Sequence, residues 1–73
     1  MNIVYTSSFL RQFKKLPSSL QNEAKEKIEV FRKNPLQKSL KSHKLKGHLK
    51  EYWSFSVNYK FRIIYEYDSK TTI

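Results

Sequence analysis

The chain has 73 residues, with 15 Lys+Arg against 6 Asp+Glu for a formal net charge of +9, no cysteine, one glycine and 15% aromatic residues. That length fits one domain, no apolar run approaches the roughly 20 residues of a membrane span, and without cysteine there is neither a disulfide framework nor a zinc–thiolate site. No charged-then-apolar leader opens the sequence, the aromatic content is too high for a disordered chain, and the charge calls for an acidic partner. The expectation is a single small cytoplasmic domain over residues 1–73.

Ile3, Val4 and Tyr5 form a β-branched and aromatic run that reads as a first strand. Thr6, Ser7 and Ser8 offer capping oxygens for a helix. Phe9, Phe13 and Leu16 then recur at i, i+4, i+7 as one apolar stripe, with Arg11, Lys14 and Lys15 on the other side. Pro17 ends this helix, because the residue before a proline disfavours the helical region. Ser18 and Gln21 make a capping-box pattern for a second helix over about 19–33. Leu20, Ala24, Ile28 and Phe31 mark its buried face, Glu23–Lys27 and Glu29–Lys33 are favourable i, i+4 pairs, and Asn34-Pro35 stops it. So short a turn predicts an antiparallel helical hairpin.

Residues 35–50 carry Lys38, Lys41, Lys44, Lys46 and Lys50, both histidines, His43 and His48, and the only glycine, Gly47. No acid stands between Val30 and Lys50, and the segment reads as irregular and basic. From Glu51 the period becomes two. Trp53, Phe55 and Val57 alternate with Tyr52, Ser54 and Ser56, which predicts a half-buried strand. Asn58-Tyr59-Lys60 is a tight turn. Residues 61–67 form the next strand, with Phe61, Ile63 and Tyr65 on one face and Arg62, Ile64 and Glu66 on the other. After a turn at Asp68-Ser69-Lys70, the run Thr71-Thr72-Ile73 begins a last strand, expected to be incomplete and to leave an unpaired sheet edge.

The order β-α-α-β-β predicts an α+β fold, with the N-terminal strand and helical hairpin packed on one face of a small antiparallel sheet. The core then takes Trp53, Phe55, Val57, Phe61, Ile63 and Tyr65. The opposite face holds Tyr52, Ser54, Ser56, Arg62 and Ile64, open to solvent or to a ligand. Lys41, Lys44, Lys46, His48, Lys50, Tyr52 and Lys60 are the candidates for binding a polyanion: cations for phosphate and Tyr52 for stacking on a base. His43 and His48 stand five apart with only Glu51 nearby, too few ligands for a metal site, so no metal or other cofactor is expected. Ser54 and Ser56 have no His/Asp pattern beside them and are not nucleophile candidates.

Three stretches in order resemble the RelE/ParE superfamily of toxins from type II toxin–antitoxin pairs. They are F-x-x-x-F-K-K-L-P at 9–17, the long helix ending at N-P, and L-K-G-x-L-x-x-Y-W-S-x-x-V-x-x-x-x-R-I-I-Y at 45–65. The last block is most similar to the YoeB and YafQ branches. For those branches the resemblance implies a ribosome-dependent, metal-independent endoribonuclease that cleaves mRNA through 2′-hydroxyl attack. Such a reaction needs a base, an acid and cations around the phosphate. By resemblance, Arg62 is the arginine of R-I-I-Y and binds phosphate through parallel N–H donors. His43, two residues before Leu45, is the acid–base histidine of YafQ-like members. The resemblance also implies an acidic antitoxin partner besides mRNA and ribosome. Two other readings stay open: a ParE-type inhibitor of DNA gyrase, and a catalytically degenerate basic module that binds its antitoxin or RNA.

Overall fold

The computed structural model describes residues 3–45, 52–67 and 71–73. Strand β1 is Ile3–Val4, and helix α1 follows over Ser7–Lys14. Thr6 is its N-cap, with Oγ1 accepting from the Phe9 N–H at 3.0 Å. Phe9 and Phe13 pack against the core as half-buried residues, while Leu10 turns outward. Helix α2 runs Ser18–Lys33 and buries Ala24, Ile28 and Phe31, with Leu20 partly covered.

The capping box expected at Ser18 and Gln21 does not form. The helix starts one residue earlier, its N-cap is Pro17, and a proline offers neither a side-chain oxygen nor an N–H. Gln21 instead donates from Nε2 to the carbonyls of Phe13 and Leu16, 3.1 Å each. It thereby gives the Leu16 carbonyl a donor, adds a second one at Phe13 O, which already accepts from the Leu16 N–H, and ties the hairpin turn to α2. On the exposed side of α2, Glu29 meets Arg32 at 3.0 Å, and among the described residues neither expected i, i+4 pair is made. Such exposed pairs contribute little in any case.

The segment read as irregular contains two short elements. A 3₁₀ turn spans Lys38–Leu40 and strand β2 spans His43–Lys44. Leu40 is fully buried and pins this stretch to the core. Periodicity missed it because one apolar anchor has no period. Lys41 then takes a left-handed conformation, φ 49°, which turns the chain into β2.

Strands β3 (Tyr52–Ser56), β4 (Arg62–Tyr67) and β5 (Thr71–Thr72) complete a five-stranded sheet in the order β1-β5-β4-β3-β2. All neighbours are antiparallel except β1 and β5, so the sheet is mixed rather than wholly antiparallel. The unpaired edge expected at 71–73 is not there. Strand β5 lies inside the sheet, between β4 and β1, and backbone bonds of 2.8 Å join Ile73 N–H to Val4 O and Thr6 N–H to Ile73 O. The edges are β1 and β2. Between helices and sheet, Phe31 stacks on Phe55 at 4.6 Å and meets Tyr65 at 4.7 Å. Ile28, Leu40, Val57, Ile63 and Ile73 close the core around them. Phe61, expected in this core, stands at the end of the β3–β4 turn and stays 44% exposed.

Candidate functional site

Register places the site. His43 pairs with Ser54 and Ser54 with Ile64, so these three form a row across β2, β3 and β4 on the face away from the helices. Arg62 pairs with Ser56 in the next row, on the same face. The turn before Arg62 is held by Asn58. Its Oδ1 accepts from the N–H groups of Lys60 and Phe61, 2.9 Å each, and its Nδ2 reaches Glu23 of α2 at 3.4 Å. Ser56 Oγ donates to Asn58 O at 2.7 Å. The strand therefore enters the site with its backbone already fixed.

From β4 the Arg62 side chain folds back across the sheet toward β2. Its Nε donates to Ser54 Oγ at 2.9 Å, and Nη2 donates to Lys41 O at 2.7 Å, with Ser54 O a longer contact at 3.4 Å. The His43 imidazole stands beside it, Nδ1 lying 3.2 Å from Arg62 Nη2 and 3.3 Å from Lys41 O. Nδ1 thus sits between a donor and an acceptor, and only one can be served at a time. With the proton on Nε2, Nδ1 accepts from Arg62. With the proton on Nδ1, it donates to the Lys41 carbonyl and Nε2 keeps a free lone pair. Among the described residues, neither Arg62 Nη1 nor His43 Nε2 has a protein partner, and both residues are exposed. The arrangement offers an oriented guanidinium edge and an imidazole nitrogen side by side.

Ser54 and Ser56 correct the sequence reading. They lie on the predicted face but are not open to solvent, with Ser54 only 1% exposed. The Arg62 side chain closes over Ser54, a long-range contact that strand alternation does not see. The polyanion candidates divide. Lys41 is exposed, and it is its carbonyl, not its ammonium, that meets Arg62. Lys44 pairs with Trp53 and so belongs to the opposite face of the edge strand from His43 and Arg62. Tyr52 shares the Arg62 face but stands at its far end, half-buried and paired with Glu66. Lys60 is exposed in the β3–β4 turn, its ammonium 5.9 Å from the centre of the Tyr59 ring. Lys46, His48 and Lys50 lie outside the described residues. Ser54, Asn58 and the Lys41 carbonyl were not singled out by sequence. Only the position of Ser54 in the Y-W-S motif marked it.

Two helices on one face of a mixed five-stranded sheet make an α+β fold of the RelE-like kind, shared with several solved toxins. A YoeB/ParE toxin from Agrobacterium tumefaciens superposes with a TM-score of 0.80 at 19% identity, covering 99% of this chain and 91% of that one. YoeB in the heterotetrameric YoeB-YefM toxin-antitoxin complex from Staphylococcus aureus gives 0.78 at 23% identity, over 100% and 90% of the two chains. YafQ from E. coli strain BL21(DE3) gives 0.80 at 23% identity, over 99% and 86%. These likenesses establish the fold. A search of curated proteins finds no match. Residues 6–73 match the family described as RelE-like toxin of type II toxin-antitoxin system HigB, and the chain belongs to that family of toxins. No helix among the described residues is long and apolar enough to cross a membrane.

Proposed function

We propose that this toxin is an endoribonuclease that cuts mRNA on the ribosome, with Arg62 and His43 at its reacting centre. The observation that carries the reading is the meeting of the Arg62 guanidinium and the His43 imidazole, 3.2 Å apart on the free face of the sheet. In the reaction, the ribose 2′-oxygen attacks the adjacent phosphorus. The P–O2′ bond forms, the P–O5′ bond breaks, and the products are a 2′,3′-cyclic phosphate and a 5′-hydroxyl. No metal takes part. His43, with Nδ1–H held on the Lys41 carbonyl, takes the 2′-hydroxyl proton at Nε2. Arg62 binds the non-bridging phosphate oxygens through its Nη1 hydrogens, and stabilises the extra charge of the pentacoordinate state. The departing 5′-oxygen takes its proton from solvent.

The basic segment from Val30 to Lys50, with seven Lys or Arg and no acid, supplies affinity without sequence choice. Lys41 and Lys60 each stand two residues from one member of the reacting pair, and both are exposed. The same charge suits an antitoxin with an acidic, extended segment that folds on binding, as the YoeB-YefM pairing of a structural relative supports. The test is a translation reaction with purified components, read by primer extension on the mRNA. Wild-type protein should introduce cuts, an mRNA with a 2′-deoxyribose at the cut nucleotide should resist, and gyrase supercoiling should be unaffected. Blocked supercoiling with intact mRNA would replace this reading with gyrase inhibition.

A further inference from the structure

Arg62 is exposed, yet three acceptors reach its guanidinium from beneath. Two belong to Ser54, whose Oγ accepts from Nε at 2.9 Å and whose carbonyl lies 3.4 Å from Nη2, and the third is Lys41 O at 2.7 Å. Ser54 is 1% exposed, so its hydroxyl has no water to turn to and serves this one donor. The third acceptor is also set for the purpose. Lys41 sits at φ 49° and ψ 45°, a region that costs a residue with a Cβ, and the turn it makes aims its carbonyl at Arg62. Leu40, fully buried, holds that turn on the core.

We infer that Ser54, with the left-handed turn at Lys41, is a positioning residue: it locks the Arg62 guanidinium so that its Nη1 edge faces the scissile phosphate. This deepens the proposed reaction and rests on it. An arginine on a strand normally samples many rotamers, and ordering it at the moment of reaction would cost conformational entropy. Here Nε and Nη2 are occupied before substrate arrives, so the plane of the fork is fixed and only the outer donors are left for phosphate. The serine hydroxyl needs no partner base for this role, which accounts for a buried serine beside no catalytic triad.

The first experiment reads the lock directly. In ¹⁵N-labelled protein the Arg62 Nε–H, assigned by its loss in Arg62→Lys, should give a dispersed resonance protected from solvent exchange. Ser54→Ala should move it to the exchanging envelope while the backbone amide spectrum stays native. An Nε–H resonance unchanged in Ser54→Ala overturns the inference. The second experiment is a kinetic cycle. Ser54→Ala should lower mRNA cleavage about 100-fold, the loss typical of a displaced reacting group. It should do so only where Nε–H exists, so adding it to Arg62→Lys should cause no further loss. An equal loss in both backgrounds would make Ser54 merely structural and overturn the inference. The parent reading fails separately, if Arg62→Ala cleaves at the wild-type rate. The Nε–H spectrum, which needs no catalysis, tests the lock in that event as well.

Discussion

Asn58→Ala should destabilise the domain and disorder the entry to the site at once. The side chain ties down two backbone N–H groups, those of Lys60 and Phe61, at 2.9 Å each, and reaches α2 through Glu23 at 3.4 Å. A hydrogen bond contributes about 0.5–1.5 kcal/mol net, and in this exposed turn water replaces part of what is lost. The long contact to Glu23 is exposed and adds little. Together the loss is about 1–2 kcal/mol. In a domain of this size each kcal/mol moves Tm by about 4–8 °C, so circular dichroism melts should show a drop of about 10 °C. Asn58→Asp separates the causes. It keeps an acceptor oxygen for both N–H groups and restores most of the stability, but it sets a carboxylate against Glu23, a repulsion that added salt should relieve. A melting temperature for Asn58→Ala within about 2 °C of wild type would refute the reasoning. So would an Asp variant that falls as far as Ala in high salt.

Other outcomes follow from the core and the Lys41 turn. Phe31→Ala removes a ring with no exposure that packs on Phe55 and Tyr65, and should cost about 3–5 kcal/mol. A domain of this length holds only about 4–11 kcal/mol in all, so urea denaturation should find at least about a quarter of its stability gone. Ser42→Ala should be neutral or slightly stabilising in the same assay, because Ser42 Oγ is buried with no hydrogen-bond partner among the described residues and its removal ends a desolvation cost of about 1–3 kcal/mol.

The fold was legible where local pattern and tertiary packing agree. The 3.6-residue recurrence of Ala24, Ile28 and Phe31 is the buried stripe of α2. The alternation of Phe55, Val57, Ile63 and Tyr65 is the inner face of the sheet. The same alternation put Arg62 and Ser54 on the outer face, and the structure agrees. What alternation could not give is what a long side chain does after leaving its strand. Arg62 crosses two strands to cover Ser54 and meet Lys41, contacts 8 and 21 residues apart in sequence. The parallel neighbour of β1 was hidden for a like reason, since two-residue strands carry too little pattern to declare a partner. The left-handed turn at Lys41 has no glycine or asparagine to announce it, and the buried Leu40 is one apolar residue among lysines. His43 was singled out by motif resemblance alone. The structure sets it opposite Ser54 in the sheet.

The most direct test of ribosome-dependent cleavage by the Arg62–His43 pair is end-mapping of an mRNA translated in the presence of wild-type protein or Arg62→Ala. The account predicts translation-dependent cuts bearing 2′,3′-cyclic phosphate ends with the wild type, and loss of those cuts, by about 100-fold or more, with Arg62→Ala. Uncut mRNA with the wild type, or equal cutting by Arg62→Ala, would contradict it.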